Sequence, residues 1–476
     1  MKSKERRDNI RIRLHDEENS YIHLVFEGTE IRGKIYDYSR FGLGICVPIE
    51  EASFIKKTHP INNCIIFAYG HKRELGKGKV VHLETGKNEI FLGLFLEREF
   101  VDMDTLMDKQ SLFLQEDEIK KIRMHFSIQE GITPEFLHFC SNFVYGLSLY
   151  KIALDDLDRK FEKEPAKLKE ALFQSVLKGF GAEFYQYLTE KVNELTVMSK
   201  RYTKLENEKY GFYLRKSIWH YILESDFIKR TNLKPRGYAG DSAMMEMLYR
   251  NEYIGKSSFG KIFHKHPCDT KAADAVRNRR RLINKYMSQR LSTSGKEDFK
   301  ILSIACGPAW EMQDFLRESP YKHQAKIFLL DQDEEALGEA RSGIASIPTD
   351  KPFQVEFIKE SVRTILKTGS PEIKFGQYDF IYSMGLYDYL TDSVAKVLTE
   401  KLYSMLCPGG ILIIGNYHVE NETRKYMEYI MDWVLYYRDE ESMFELLEDI
   451  PKNFTSEVGF DDSGTQMFLR VEKNKQ

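Results

Sequence analysis

At 476 residues the chain is longer than one ordinary domain, and length alone suggests roughly two to four. Hydrophobic residues make up 42% and charged ones 30%, which excludes wholesale disorder, and a net charge of -3 gives no footing for bulk nucleic-acid binding. No run approaches the ~20 apolar residues that span a bilayer. The basic N-terminus MKSKERRDNIRIR lacks the apolar segment of a secretory signal, and six scattered cysteines form no CxxC pair. These features point to a cytoplasmic protein with reduced thiols and no metal site.

In chain order, the first hundred residues are β-rich. Short runs at 21–26, 31–36, 44–47, 64–68, 79–83 and 90–96 stand between Gly, Asn and Pro punctuation, which predicts a small barrel or sandwich. From 106 to 232 glycine thins out. Leu, Phe, Lys and Glu recur there at helical intervals, as in PEFLHFCSNFVYGLSLYKIALDDL, predicting roughly four or five amphipathic helices. Their aromatic stripes suit a bundle core or a homodimer interface. From 233 the loop KPRGYAGD leads into further helices. From 300 apolar strands alternate with helices: KILSIAC, KIFLLD, FQVEFI, YDFIYSM, GILIIGN. That alternation predicts a parallel, doubly wound sheet. The expected segments are 1–105, 106–232 and 233–476, with a ligand-binding core at 300–420.

The most informative stretch is ILSIACGPAWE, Ile301 to Glu311. A buried strand runs into Ala305, Cys306, Gly307, Pro308 and Ala309 and then into a helix. Small residues there let backbone approach a nucleotide or adenosyl ligand at the strand's carboxyl edge. The next strand ends at Asp331, whose carboxylate can accept both hydroxyls of a ribose. A third strand reaches Glu360, Ser361 and Val362, a fourth ends in Ser383, Met384 and Gly385, and Cys407-Pro408-Gly409-Gly410 precedes a fifth.

Across 300–420 this order resembles the class I methyltransferases, which use S-adenosylmethionine (SAM) on a Rossmann-like α/β fold. The resemblance implies that Ala305 to Ala309 pass the methionine part of the cofactor, with Ser303, Ser383 and Gly385 nearby. Asp331 would hold the ribose, and Ser361 and Val362 would lie near the adenine. Departures stand at Ser303, where an acidic residue is common, and at Ala305 and Ala309, where glycines are usual. Glu311 opens the following helix as either a cap or a ligand to the cofactor. GYAGD at 237–241, AVRNR at 275–279, GLYDYL at 385–390, and Asp432-Trp433 with Tyr437-Arg438 narrow the resemblance. They are similar to bacterial enzymes that make methyl esters of 3-hydroxy fatty acids as quorum signals.

Methyl transfer is an in-line displacement, so positioning does most of the work. A carboxylate acceptor is already ionised at pH 7, whereas an alcohol, phenol or amine benefits from a general base. Tyr387, Asp388 and Tyr389 follow the fourth strand and His418 follows the fifth, where an acceptor approaches. Asp388 could equally cap the next helix, and His418 could be a satisfied core histidine. Tyr238 in the GYAGD loop would contact ligand, with Asp241 capping the next helix. Arg277 and Arg279–Arg281 form either a solvated helix face or, at one of them, a bidentate partner for an acidic head group.

The N-terminus carries Arg7-Asp8-Asn9-Ile10-Arg11 and then Asp37-Tyr38-Ser39-Arg40-Phe41-Gly42. These match RxxxR and [D/N]xSxxG and resemble the PilZ domain over about 1–105. The resemblance implies a β-barrel that binds cyclic di-GMP through Arg7, Arg11, Asp37, Ser39 and Gly42. Arginines suit such a ligand because they grip phosphate and the guanine O6/N7 edge by paired hydrogen bonds. The expectation is thus a multidomain, cyclic di-GMP-responsive, SAM-dependent O-methyltransferase acting on a fatty acyl carboxylate. The alternatives are a protein or other metabolite acceptor, or a non-catalytic sensor.

Overall fold

This computed structural model describes residues 12–13, 20–39, 42–69, 71–86, 88–97, 101, 103–296, 298–318, 325–348 and 353–475. The chain divides into two compact units, Met1–Gly131 and Ile132–Gln476. The first of the three expected segments therefore gains a long helix, Met103–Glu130, and the remaining helices belong to the C-terminal unit.

In the N-terminal unit, the strands are β1 (Ile12–Arg13), β2 (Tyr21–Phe26), β3 (Thr29–Ser39), β4 (Gly42–Pro48), β5 (Pro60–Ala68), β6 (His71–Thr85) and β7 (Glu89–Leu96). All pair antiparallel in the order β3-β2-β5-β6-β7-β4, and β4 returns to β3, so six strands close a barrel with β1 added to β3. Closure decides between barrel and sandwich and leaves those six strands without an open edge. Alternation does the local work: Ile22, Leu24 and Phe26 on β2 are buried while their neighbours are partly exposed. At Gly42 the strands approach so closely that a Cβ would come within 2.8 Å of the Leu94 carbonyl oxygen.

In the C-terminal unit, seven strands form one sheet: β8 (Phe299–Ile304), β9 (Ala325–Asp331), β10 (Phe353–Lys359), β11 (Tyr378–Ser383), β12 (Leu406–Tyr417), β13 (Phe454–Phe460) and β14 (Gln466–Lys473). Their order is β10-β9-β8-β11-β12-β14-β13, with the first five parallel and β14 antiparallel to both its neighbours. Both faces are buried. Ile301, Ile327 and Ile413 pack with Met312 and Phe315 on one side, and Leu302, Ile381 and Leu412 with Leu398 and Leu402 on the other. This is why the central strands β8, β11 and β12 read as continuous apolar runs, whereas the edge strand β10 alternates. The CPGG segment lies inside β12, where Gly409 (φ +75°) and a register shift against β11 form an irregularity, instead of a turn ahead of the strand.

The β13–β14 hairpin is absent from the sequence expectation. Its edge strand β13 is mostly exposed and so lacks the apolar run that marks the others. The helical stretch from 103 to 233 holds seven helices rather than four or five, two of them short: Trp219–Ile222 and Asp226–Leu233. Among the described residues no helix is long and apolar enough to cross a membrane. All six cysteines are free thiols.

Candidate functional site

The strand order turns back between β8 and β11, and a doubly wound sheet opens a crevice at the carboxyl ends of its strands at such a point. A cavity of about 710 Å³ lies there. Its floor is the turn after β8. Ala305 (φ +54°), Gly307 (φ +55°) and Ala309 (φ +50°) all take left-handed backbone before the helix Trp310–Glu318 begins. Left-handed alanine costs roughly 1–2 kcal/mol, and the fold holds two of them in one turn. Cys306 N–H donates to the Leu330 carbonyl (3.1 Å) and Ala309 N–H to the Cys306 carbonyl (3.0 Å), which fixes the turn against β9. A Cβ built at Gly307 would meet nothing within 4 Å, so this backbone borders open space.

Asp331 closes β9. Its carboxylate accepts Gly307 N–H (2.8 Å) and Asp333 N–H (2.9 Å). Burial raises its carboxyl pKa and these N–H donors oppose the rise. A carboxylate has about four acceptor positions, so with the Gln332 N–H also acting on it some capacity remains for a ligand's hydroxyl. Ser361 and Val362 line the cavity beside it, because β10 and β9 run in register up to Lys359 opposite Asp331. Ser361 caps the helix Val362–Lys367, its Oγ accepting Arg363 N–H (3.3 Å). Glu311 is buried, and its Oε1 accepts the Tyr382 hydroxyl (2.9 Å). Burial pushes its carboxyl up too.

The β11 end carries different chemistry. Asp388 is buried, accepts Tyr417 N–H (2.7 Å) and has its carboxyl raised to about 6 by burial, against the pull of that N–H, Arg279 and Arg438. Thr391, not Asp388, occupies the cap of the next helix, Asp392–Ser404. Trp433 Nε1 donates to the Tyr389 hydroxyl (2.9 Å), and Tyr238 meets the Tyr389 ring edge-on at 6.5 Å between centroids. A Cβ at Gly240 would clash with that hydroxyl and come within 3.2 Å of Trp433, so the GYAGD loop packs here only through glycine.

Arg279 enters from the helix Lys271–Ser294. It donates to the Met384 carbonyl (3.1 Å) and to Met245 Sδ (3.4 Å), and no ion pair to it is found among the described residues. Its neighbour Arg280 differs, being paired with Asp314 and stacked on Tyr249 and Trp310. A half-buried guanidinium that lines a cavity, feels the nearby Asp388 and Glu311 carboxylates but is in direct ion-pair contact with neither, has donors left for an anion.

Of the residues expected at the site, Ser303, Ala305, Cys306, Gly307, Pro308 and Ala309 line the cavity, as do Glu311, Asp331, Ser361 and Val362. Gly385, Asp388, Tyr238 and Tyr389 line it also. Ser383 does not: its Oγ donates to the Ile304 carbonyl (3.1 Å) inside the sheet. Tyr387 is fully buried with its hydroxyl on Thr399 (3.1 Å). Asp241 caps the helix Ser242–Arg250 and pairs with Arg230 (2.7 Å), supporting the loop from behind. Arg277 ties together Leu248 O (2.8 Å), Cys268 O (2.9 Å) and Asp274 (2.7 Å). His418 stands off the cavity, 3.4 Å from Glu440 and edge-on to Phe460.

The cover comes from residues between 236 and 283, and no residue of 132–232 lines the cavity. Arg236 pins the GYAGD loop to the helix Glu334–Ala345 through Asp333 (3.2 Å), Glu335 (2.6 Å) and Glu339 (3.3 Å). Met245, Tyr249 and Tyr382 were not anticipated as lining residues. Their only signal is an amphipathic pattern that every packed helix or strand shares.

In the barrel, Asp37 lies opposite Gly44 in the β3–β4 pairing, and Ser39 Oγ donates to the Gly42 carbonyl (3.3 Å). Arg7 and Arg11 lie outside the described residues.

No protein-family model matches the chain, and no curated protein is significantly similar to it. Among solved structures, a possible exported protein from Bordetella parapertussis is 16% identical, covering 62% of this chain and 97% of its own, with a TM-score of 0.44. The magnesium protoporphyrin IX methyltransferase of Synechocystis PCC 6803, crystallised with bound SAM, is 12% identical over 43% of this chain and 85% of its own (TM-score 0.32). N-methyltransferase NodS of Bradyrhizobium japonicum WM9 is 17% identical over 42% and 98% (TM-score 0.29). Likenesses of this extent do not assign a ligand.

Proposed function

We propose that the C-terminal unit is a SAM-dependent O-methyltransferase for a small acidic acceptor, best matched by the carboxylate of a 3-hydroxy fatty acid. The observation that carries this reading is the polarity of one cavity. It has Asp331, with acceptor capacity to spare, at its β9 end and Arg279, in direct ion-pair contact with no carboxylate among the described residues, at its β11 end.

The residues present fit the cofactor. Open backbone at Gly307, spare acceptor capacity on Asp331 and the buried Glu311 carboxylate suit a polar, sugar-bearing ligand with an ammonium group. SAM bound there would supply an electrophilic methyl group. Ala305 to Ala309 would border its methionine part, Asp331 its ribose, and Ser361 and Val362 its adenine. Arg279 would hold the acceptor's carboxylate by paired hydrogen bonds, while Met245, Trp433 and Leu435 would cover its apolar chain. An ionised carboxylate needs no general base, so this acceptor asks nothing of Asp388 beyond its hold on the Tyr417 N–H.

The barrel, on this reading, is a PilZ-type receptor for cyclic di-GMP. Its support is the RxxxR arm and the Asp37, Ser39 and Gly42 motif, whose second half lies at the β3–β4 junction of a closed barrel.

The test is S-adenosylhomocysteine release from SAM with a long-chain 3-hydroxy fatty acid, with and without saturating cyclic di-GMP. Acid-dependent release that changes with the nucleotide is expected. Tight S-adenosylhomocysteine binding with no release from any carboxylic acid would overturn the acceptor while leaving the cofactor reading intact.

A further inference from the structure

The helices of 132–233 line no part of the cavity, yet two of them hold the segment that does. The helix Arg424–Tyr429 ends with carbonyls that have no partner further along the helix. Arg215, from the helix Lys204–Ser217, donates to the carbonyls of Glu428 (2.8 Å) and Tyr429 (3.3 Å), and Asn232 donates to that of Ile430 (2.9 Å). A cation at a helix C-terminus is favourably placed. The approach is close, because a Cβ at Gly211 would come within 3.5 Å of Tyr429 Cα.

The same two helices then grip the next turn. Asp432 takes left-handed backbone (φ +51°), and its carboxylate is shared between Arg215 (2.8 Å) and Lys234 (2.6 Å). Immediately beyond, the chain alternates: Trp433 and Leu435 are 6% exposed, whereas Val434 is 62% and Tyr436 47%. Trp433 and Leu435 line the cavity. In an extended segment a slip of one residue exchanges the two faces, so whatever fixes Asp432 fixes which side chains form the wall. Trp433 passes that placement on through its hydrogen bond to Tyr389, against which Gly240 packs.

We infer that Arg215 and Lys234, acting through Asp432, are positioning residues for the acceptor wall of the cavity. The inference rests on the reading that the β11 end takes the acceptor. Arg215 and Lys234 touch neither ligand. They set the place of Trp433.

The test compares the full-length protein with Arg215→Ala, Arg215→Lys and Asp432→Asn. Three readouts are used: the 19F spectrum after 5-fluorotryptophan labelling, S-adenosylhomocysteine affinity by calorimetry, and kcat and KM with 3-hydroxypalmitate. The chain has three tryptophans, so Trp433→Phe assigns the resonance. Arg215→Ala and Asp432→Asn are expected to move the Trp433 signal and raise KM about tenfold, with kcat and S-adenosylhomocysteine affinity within about twofold of wild type. Arg215→Lys is expected to recover part of the loss. An unmoved Trp433 signal in folded Arg215→Ala and Asp432→Asn would overturn the inference, as would equal losses of cofactor-product and acceptor affinity. If 3-hydroxypalmitate is not turned over by wild type, the acceptor reading fails, and the Trp433 signal still decides the positioning role.

Discussion

Replacing Arg279 with methionine separates stability from recognition. The guanidinium offers five donors, and the protein uses some of them on the Met384 carbonyl at 3.1 Å, the Met245 sulfur at 3.4 Å and the Tyr249 hydroxyl. The Met384 carbonyl keeps a second donor, Gln466 Nε2 at 3.1 Å, so Arg279→Met leaves no buried acceptor empty. No direct ion pair is lost, but the buried Asp388 and Glu311 carboxylates lose a nearby cation as a desolvated charge disappears. These effects oppose each other, so melting should shift by no more than the usual cost of about 1 kcal/mol for a point change. Recognition loses more. A hydrogen bond to a charged group contributes about 1.5–3 kcal/mol, and at about 1.4 kcal/mol per tenfold that is roughly 10–150-fold in KM for an acidic acceptor. The assay pairs thermal melting with S-adenosylhomocysteine release over a range of 3-hydroxy fatty acid concentrations. Binding of the acid is compared with binding of its methyl ester, which wild type should disfavour and Arg279→Met should not. A KM within twofold of wild type would refute the reasoning. So would an equal loss of S-adenosylhomocysteine affinity, because Arg279 would then be holding cofactor rather than acceptor.

Asp388→Asn tests the absence of a general base. With a carboxylate acceptor kcat should stay within about threefold of wild type, whereas a hydroxyl acceptor would lose roughly 10²–10⁴-fold. Burial raises the Asp388 carboxyl from 3.8 unfolded to about 6 folded. The fold therefore favours its protonated form, and its destabilising effect is absent below pH 3.8 and grows as pH rises through about 6. Melting curves should show Asp388→Asn gaining on wild type between pH 4 and pH 7. Ala305→Gly relieves a left-handed alanine (φ +54°) and should stabilise by about 0.5–1 kcal/mol in denaturant titration, after the unfolded-state entropy of glycine is subtracted. Destabilisation by that variant would mean that the Ala305 methyl packs against something the turn depends on.

Much of the architecture was legible because period and punctuation are local. The strands at 21–26 and 90–96, and the five parallel strands beginning with β8, all stand where apolar runs end at small or turn-forming residues. The hairpin of β13 and β14 was not, because an exposed edge strand has no apolar signature. The turn 305–309 was recognisable from its small residues alone. That two of them are alanines in left-handed backbone is a strain the surrounding fold imposes.

Side-chain roles divide along the same line. Asp331 is fixed by position, since the last residue of a strand beside the switch point faces the crevice. Tyr387, Ser383 and His418 stand at equally suggestive positions, yet a neighbouring Thr399, a cross-strand carbonyl and Glu440 take their polar atoms away from the cavity. Arginines 277, 279 and 280 are indistinguishable as a basic run on one helix. Only their partners separate them: Asp274 and two backbone carbonyls for Arg277, Asp314 for Arg280, and no direct ion pair for Arg279. Sequence by itself showed where the five parallel strands, the small-residue turn and the strand-ending carboxylate fall, because each depends on residues next to one another. The tertiary structure alone decided which arginine is left without a direct ion pair, and that Arg215 and Lys234 hold the cavity wall through Asp432, because those facts depend on partners on other elements, about two hundred residues away in the case of Asp432.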